Sequence, residues 1–299
     1  MTRILLTGST GQVGWELQRT LMTLGEVISV GREISSCGLR IDLSQPNTIR
    51  HVIREVQPEL IVNPAAYTAV DKAESEPELA MAVNGTAPGV IAEEAKLLGA
   101  GVIHYSTDYI FNGHQATPYT EQDEPCPQNI YGKTKLAGEK AIQAVGVPHL
   151  ILRTSWVYSL RGKNFLLTML KLAREREELR VVDDQVGAPT WSRMIAESTA
   201  QIVSQGTQDL IGFLSRKNGI YHLTATGQTS WYGFAKAIFE YDSQRNEYKL
   251  EKVVAIPSEQ YPTPAKRPAY SSLDTEKISR VFGLVLPNWQ RNLELVLGS

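Results

Sequence analysis

Cysteine is nearly missing from this 299-residue chain, which carries only Cys37 and Cys126. Two thiols are too few for a disulfide scaffold or a zinc cluster, and neither stands out as a nucleophile, so a reducing, cytoplasmic setting is expected. Charge of one sign is missing as well. The 30 Lys and Arg nearly balance 32 Asp and Glu, for a net −2, and this removes any broad pull toward nucleic acid or a membrane surface. No apolar run reaches the roughly 18 residues of a membrane span. Met1-Thr2-Arg3 leads straight into an apolar segment, without the charged-then-apolar leader of a secreted chain. Repeats and low-complexity tracts are lacking. What remains is a chain that is 42% apolar, enough for a large core, and suited to one large domain with an added lobe or to two domains.

The N-terminus holds the first positive signal. Arg3-Ile4-Leu5-Leu6-Thr7 reads as a buried strand, Gly8-Ser9-Thr10-Gly11-Gln12-Val13-Gly14 follows, and Val13, Leu17, Leu21 and Leu24 recur at helical spacing. Strand, glycine turn and helix in this order form a dinucleotide-binding pattern. Gly8 is suited to the tight turn, Gly11 to close approach of backbone N–H groups to a pyrophosphate, and Gly14 to close packing of helix on sheet. The spacing is G-x-x-G-x-x-G, typical of the short-chain and extended dehydrogenase superfamily, which the chain resembles.

A second strand is expected at Val27–Val30, followed by Gly31-Arg32-Glu33. An NAD binder normally has an acid at this place. Arg32 instead suits the 2′-phosphate of NADP, so NADPH is favoured, with NADH as a substitute. A solvated loop arginine is the plain alternative. Asp42 and Leu43, after a third short extended piece, match the superfamily's adenine-side pair; alternatively Asp42 or Ser44 caps the helix carrying Ile49, Val52, Ile53 and Val56.

Further strands at Leu60–Asn63, Val102–Tyr105 and His149–Arg153 alternate with helices around 77–98 and after Tyr131. Alternation of this kind predicts an α/β fold, a doubly wound parallel sheet (Rossmann) with a smaller, mixed C-terminal substrate lobe. The dinucleotide-binding domain is expected over 1–160, and 161–299 mainly as the lobe, with some segments returning to the core. Helices are expected at Asn164–Arg176, Ser192–Val203 and Thr229–Phe239, and a distorted one where Asn84-Gly85-Thr86-Ala87-Pro88-Gly89 interrupts the helical pattern. The proline-bearing loop before Tyr131 is expected to cover the substrate.

Tyr131 and Lys135 are one helical turn apart and face the same way if their segment is a helix. A lysine beside a tyrosine is expected to lower the phenol's pKa, making Tyr131 a candidate general acid. Alone this pair is weak, and a surface tyrosine over a lysine stem is the ordinary explanation. Thr107, in Ser106-Thr107-Asp108-Tyr109, places a hydroxyl at a strand end where it can meet the same substrate.

These segments together resemble the dTDP-4-dehydrorhamnose reductase family nearly end to end. The resemblance is carried by residues 7–14, 65–74, 106–111, 131–139, 153–158 and 184–190, with Arg267-Pro268 beyond them. It implies NADPH-dependent reduction of the 4-keto group of dTDP-4-dehydro-L-rhamnose to dTDP-L-rhamnose, with Thr107, Tyr131 and Lys135 as the catalytic set. Cofactor contacts are expected from Gly8, Thr10, Gly11, Gln12, Val13, Arg32, Asp42, Leu43, Ala65, Ala66, Tyr67, Tyr131 and Lys135. Substrate contacts are expected from Val70, Thr107, Asp108, Tyr109 and Trp156, with Gln185 and Arg267 reaching the nucleotide or diphosphate. For Trp156 a wall against the sugar and plain core packing are equal alternatives. Some relatives dimerise through magnesium held by glutamates; Glu16 matches one such position, but Arg193 stands near another. A cation there repels a metal, so no metal is expected, and the chain is expected to be a monomer or weak dimer. The rival readings are a reductase of another dTDP-4-keto-6-deoxysugar and a non-catalytic NADP-binding regulatory subunit.

Overall fold

The computed structural model describes residues 1–35 and 38–298, so Cys37 lies outside the described residues. Six parallel strands form the central sheet: β1 (Thr2–Thr7), β2 (Gly25–Val30), β3 (Leu60–Asn63), β4 (Gly101–Thr107), β5 (His149–Thr154) and an edge strand, Gly219–His222. Their spatial order is edge strand, β5, β4, β3, β1, β2, so the chain reverses its direction of winding between β1 and β3. Ligands of doubly wound sheets bind beyond the carboxyl ends at such a switch point.

Side chains alternate across each strand, and both faces are apolar. Leu5, Ile61, Val102 and Ile151 pack under α2 (Pro46–Val56), α5 (Ala87–Leu98) and α6 (Ile130–Val145). Ile4, Leu6, Val62, Ile103 and Leu152 face α1 (Gln12–Leu21), with α7 (Phe165–Glu175) and α8 (Ser192–Ser204) in the same core. The lobe is therefore continuous with the sheet: α8 packs on α1, and the edge strand pairs with β5.

Two local differences from the sequence reading have physical causes, and a third irregularity is the one expected. The segment before Asp42 is irregular rather than a strand, with Ile41 N–H donating to Gly31 carbonyl at 2.8 Å. The helix expected from Thr229 begins at Trp231, because the Ser230 hydroxyl accepts from Gly233 N–H and caps it there. The distorted helix is present as α4 (Pro77–Met81), a π-helical turn over Ala82–Thr86, and α5; the short α3 (Val70–Ala73) precedes it. Small residues line its contact with α6: a Cβ on Gly138 would stand 2.2 Å from the Asn84 carbonyl oxygen.

Among the described residues no helix is long and apolar enough to cross a membrane, and no group of three or more His, Cys, Asp or Glu is placed to hold a metal. Arg193 lies near Glu16 and pairs with Glu197 at 2.7 Å.

Candidate active site

The glycine turn after β1 is shaped by contacts only glycine permits. Gly8 has φ +60°, and a Cβ there would meet Ala65 at 3.0 Å; a Cβ on Gly14 would stand 2.1 Å from the Gly8 carbonyl oxygen. Gly11 N–H donates to that carbonyl at 3.0 Å, and α1 begins behind it with no side-chain cap. Its first-turn N–H groups are thus open to an anion. Thr10 is exposed, and Gln12 and Val13 are half-buried. Gln12 Oε1 accepts from Ser159 Oγ and Asn164 Nδ2, both at 2.9 Å, joining the turn to the lobe.

Arg32 is exposed just past β2. The Ser44 hydroxyl and N–H hold the Asp42 carboxyl below its usual range, with Arg32 adding to the effect. Neither Asp42 nor Ser44 caps α2, whose N-cap is Gln45 followed by Pro46. Leu43 is buried beside them.

Ala65, Ala66 and Tyr67 follow β3. Here the sequence reading missed Asn84, whose amide accepts from Tyr67 N–H at 2.8 Å and donates to Tyr67 carbonyl at 3.0 Å. Asn84 Nδ2 also reaches Thr134 Oγ1 on α6 at 3.3 Å. One buried amide from the π-helical turn thereby fastens the loop after β3 to α6. An asparagine inside an otherwise helical pattern was its only sequence signal.

Thr107 ends β4 and caps the short turn Asp108–Ile110, accepting from Tyr109 N–H at 3.2 Å and donating to Asp108 Oδ1 at 3.0 Å. Asn129 caps α6 by accepting from Gly132 N–H. This sets Tyr131 in the first turn and Lys135 one turn on, as the spacing predicts. Tyr131 meets Tyr109 edge-on at 5.8 Å and lies close to Thr107, whose hydroxyl opposes the rise of the phenol's pKa. Gly132 makes this approach possible, since a Cβ there would stand 2.2 Å from Tyr109 carbonyl oxygen. Lys135 is buried, 2% exposed, and its Nζ donates to Tyr105 carbonyl at 2.5 Å.

The expected lowering of the phenol pKa by Lys135 is not what the site produces. Burial dominates: Tyr131 is pushed up to about 12, Thr107 opposing weakly, and Lys135 is brought down to about 8 by burial against the pull of Glu139. The lysine nitrogen is directed at a carbonyl rather than at the phenol. Burial also raises Asp108 to about 7, and its Oδ2 has no protein partner among the described residues.

On the lobe side, Val70 opens α3 and Asp71 follows it. Asp71 is paired with Arg267 through two bonds, 3.0 and 2.7 Å, and its carboxyl is held low chiefly by that guanidinium. Asn129 Nδ2 donates to Lys266 carbonyl at 2.8 Å, so the strap carrying Arg267 is fastened to the start of α6 as well. Gln185 binds Ser258 Oγ and Trp231 Nε1. Trp156, at φ +45°, stacks on Trp231 with centroids 3.5 Å apart and lies against Gly187. Much of the flat surface anticipated for a sugar is therefore used in packing. The loop before α6 is anchored through Tyr119, which stacks on Phe111 and whose hydroxyl accepts from the N–H groups of Gly113, His114 and Gln115.

A doubly wound sheet with a glycine turn at β1 and a threonine, tyrosine and lysine gathered at β4 and α6 defines the class, an oxidoreductase of the extended short-chain dehydrogenase/reductase type. The RmlD substrate binding domain family matches residues 1–299. A dTDP-4-dehydrorhamnose reductase of Escherichia coli K12 is 49% identical, covering 98% of this chain and 96% of its own. Among solved structures, a dTDP-4-dehydrorhamnose reductase of Clostridium acetobutylicum has a TM-score of 0.88 at 35% identity, covering 99% and 98% of the two chains. One from Bacillus anthracis, in complex with NADP, has a TM-score of 0.85 at 33% identity with the same coverage. The chain belongs to the dTDP-4-dehydrorhamnose reductase family.

Proposed function

We propose that this protein reduces the 4-keto group of dTDP-4-dehydro-L-rhamnose to dTDP-L-rhamnose with NADPH. The observation that carries the reading is the gathering of Thr107, Tyr131 and Lys135 at one strand end, joined through Asn84 to the loop that lies against the Gly8 turn. That turn fits a dinucleotide: a Cβ-free approach at Gly8 and Gly14 and an uncapped helix start. Gly8, Thr10, Gly11, Gln12 and Val13 would hold the pyrophosphate, Ala65 to Tyr67 the nicotinamide side, Asp42 and Leu43 the adenine side, and Arg32 a 2′-phosphate. NADPH bound there supplies the hydride for the sugar's C4.

The residues do the rest. Tyr131, held protonated at neutral pH by its raised pKa, gives its proton to the 4-oxygen as charge develops there, and the neighbouring Thr107 orients that oxygen. Lys135 lies on the same helix face and its charge offsets the phenolate left behind. Asp108, with an unpartnered buried oxygen, together with Val70, Tyr109 and the free rim of Trp156, would contact the hexose. Gln185 and Arg267 are held by protein partners and would shape the nucleotide end through the strap.

Incubation with dTDP-4-dehydrorhamnose and NADPH, followed by the reduced-nicotinamide absorbance, is expected to show turnover that Tyr131→Phe loses while still binding cofactor. Equal activity in the two proteins would remove Tyr131 as the acid. Wild-type turnover only with a different 4-keto-sugar nucleotide would move the substrate to another deoxysugar, and cofactor binding without any turnover would leave a regulatory subunit.

A further inference from the structure

Lys135 is the end of a longer buried row. Its Nζ lies 3.3 Å from His104 Nε2, His104 Nδ1 lies 3.1 Å from Asn63 Nδ2, and Asn63 Oδ1 accepts from Thr7 Oγ1 at 2.6 Å. Thr7, Asn63 and His104 come from the neighbouring strands β1, β3 and β4 and are each 1% exposed. Groups buried this deeply have to match donors to acceptors within the row.

Two matched arrangements exist. An ammonium is a donor only, so beside charged Lys135 the His104 Nε2 must accept, the ring proton must sit on Nδ1, and Asn63 must turn its oxygen to the ring and its NH2 to Thr7. The structure has Asn63 the other way round, with nitrogen to the ring. This puts the ring proton on Nε2, where only the neutral amine can accept it. We infer that Thr7, Asn63 and His104 form a two-position hydrogen-bond switch set by the charge of Lys135, with His104 as the positioning residue that holds Nζ in both positions. In the charged position the Thr7 hydroxyl accepts from Asn63, and its own proton becomes available one residue before Gly8. The ionisation of the lysine is thus signalled to the cofactor turn.

The surroundings suit such a switch. Burial keeps His104 well below its ordinary pKa, with Lys135 and His149 pushing the same way, so the ring stays neutral and changes only its tautomer. Lys135 itself is brought down to about 8. It is faced by Tyr131 and Glu139 from its own helix and by His104 and the Tyr105 carbonyl from β4, and Glu139 is itself paired with Arg153 of β5. Asp108 lies beyond Tyr131.

The link to turnover rests on the role proposed above for Lys135, but the switch can be read without substrate. Histidine 15N shifts of the ligand-free protein between about pH 6 and 10 report which ring nitrogen carries the proton. His104, assigned by its loss in His104→Gln, is expected to be Nδ1-protonated at the low end and Nε2-protonated at the high end, with a midpoint near 8. Lys135→Met should abolish the change and thereby exclude Asp108 as its source. In turnover, His104→Leu should move the alkaline limb of kcat/KM about one pH unit lower, because the ammonium loses an acceptor, and His104→Gln should restore it. One tautomer across the whole range in the wild type, or a change that persists in Lys135→Met, overturns the switch. Switching in a protein inactive on the keto-sugar supports the switch and overturns only the substrate assignment.

Discussion

Gly132→Ala separates catalytic placement from folding. Within a helix alanine is favoured over glycine by about 1 kcal/mol, and Gly132 lies in the regular first turn of α6. Space is the obstacle: the new Cβ would stand 2.2 Å from Tyr109 carbonyl oxygen and 3.0 Å from Pro127 Cβ, where ordinary contact begins at 3.4 Å. Relief requires the first turn of α6 to retreat from Tyr109 by about 1 Å, and Tyr131 retreats from Thr107 with it. A misplacement of about 1 Å costs on the order of 100-fold in rate. The overpacking costs about 1–3 kcal/mol, partly offset by helix propensity. We expect kcat/KM to fall about 100-fold, with NADPH affinity nearly unchanged because the glycine turn and Ala65 loop are untouched. Steady-state rates, cofactor titration and urea unfolding measure the three quantities, with Lys133→Ala at the exposed neighbouring position as control. Turnover within about threefold of wild type would refute the claim that this contact sets the acid's position.

Arg153 and Glu139 form a buried bidentate pair, 3.0 and 2.7 Å, that fixes α6 on the sheet. Arg153→Met strands the carboxylate and is expected to cost about 3–5 kcal/mol in urea unfolding, most of it recovered in Arg153→Met/Glu139→Leu; an equal loss in the double variant would show that charge burial is not the cause. The folded pKa of Lys135, about 8, lies below its unfolded value of about 10.4. Its stabilising contribution is therefore present above the unfolded value and lost as pH falls through the folded one, so stability relative to Lys135→Met should drop by roughly 2–3 kcal/mol between about pH 10 and pH 7. No difference in the two proteins' pH dependence would place the lysine in a solvated environment. Arg32→Ala should weaken NADPH by about tenfold and leave NADH nearly unchanged, measured by competitive titration; an unaltered preference would take Arg32 out of recognition.

The parts of this protein legible in sequence were those encoded locally. Apolar runs bounded by turns gave five of the sheet's strands, the glycine spacing gave the turn after β1, and the one-turn spacing of Tyr131 and Lys135 placed them on one helix face. What stayed hidden is set by residues far apart in the chain. Arg267 and Asp71 are 196 positions apart, and nothing near either predicts that they pair. The edge strand Gly219–His222 is short and carries a polar end, so it gave no apolar signature. The direction of the tyrosine's pKa shift followed from burial that the lysine's proximity in sequence could not disclose.

The π-helical turn at Ala82–Thr86 has a further consequence. Such a turn holds one residue more than α-helical winding does, so a chain shortened by one residue here would regain an unbroken α-helix, with α4 and α5 nearly in place and the residues between them moved to new positions on its surface. Asn84 would then leave Tyr67 and Thr134, and the loop after β3 would lose its anchor to α6. Repairing this irregularity would straighten the local backbone at the expense of the ligand cleft, so single-residue deletions in 82–86 should be far less tolerated than most substitutions on its outer surface.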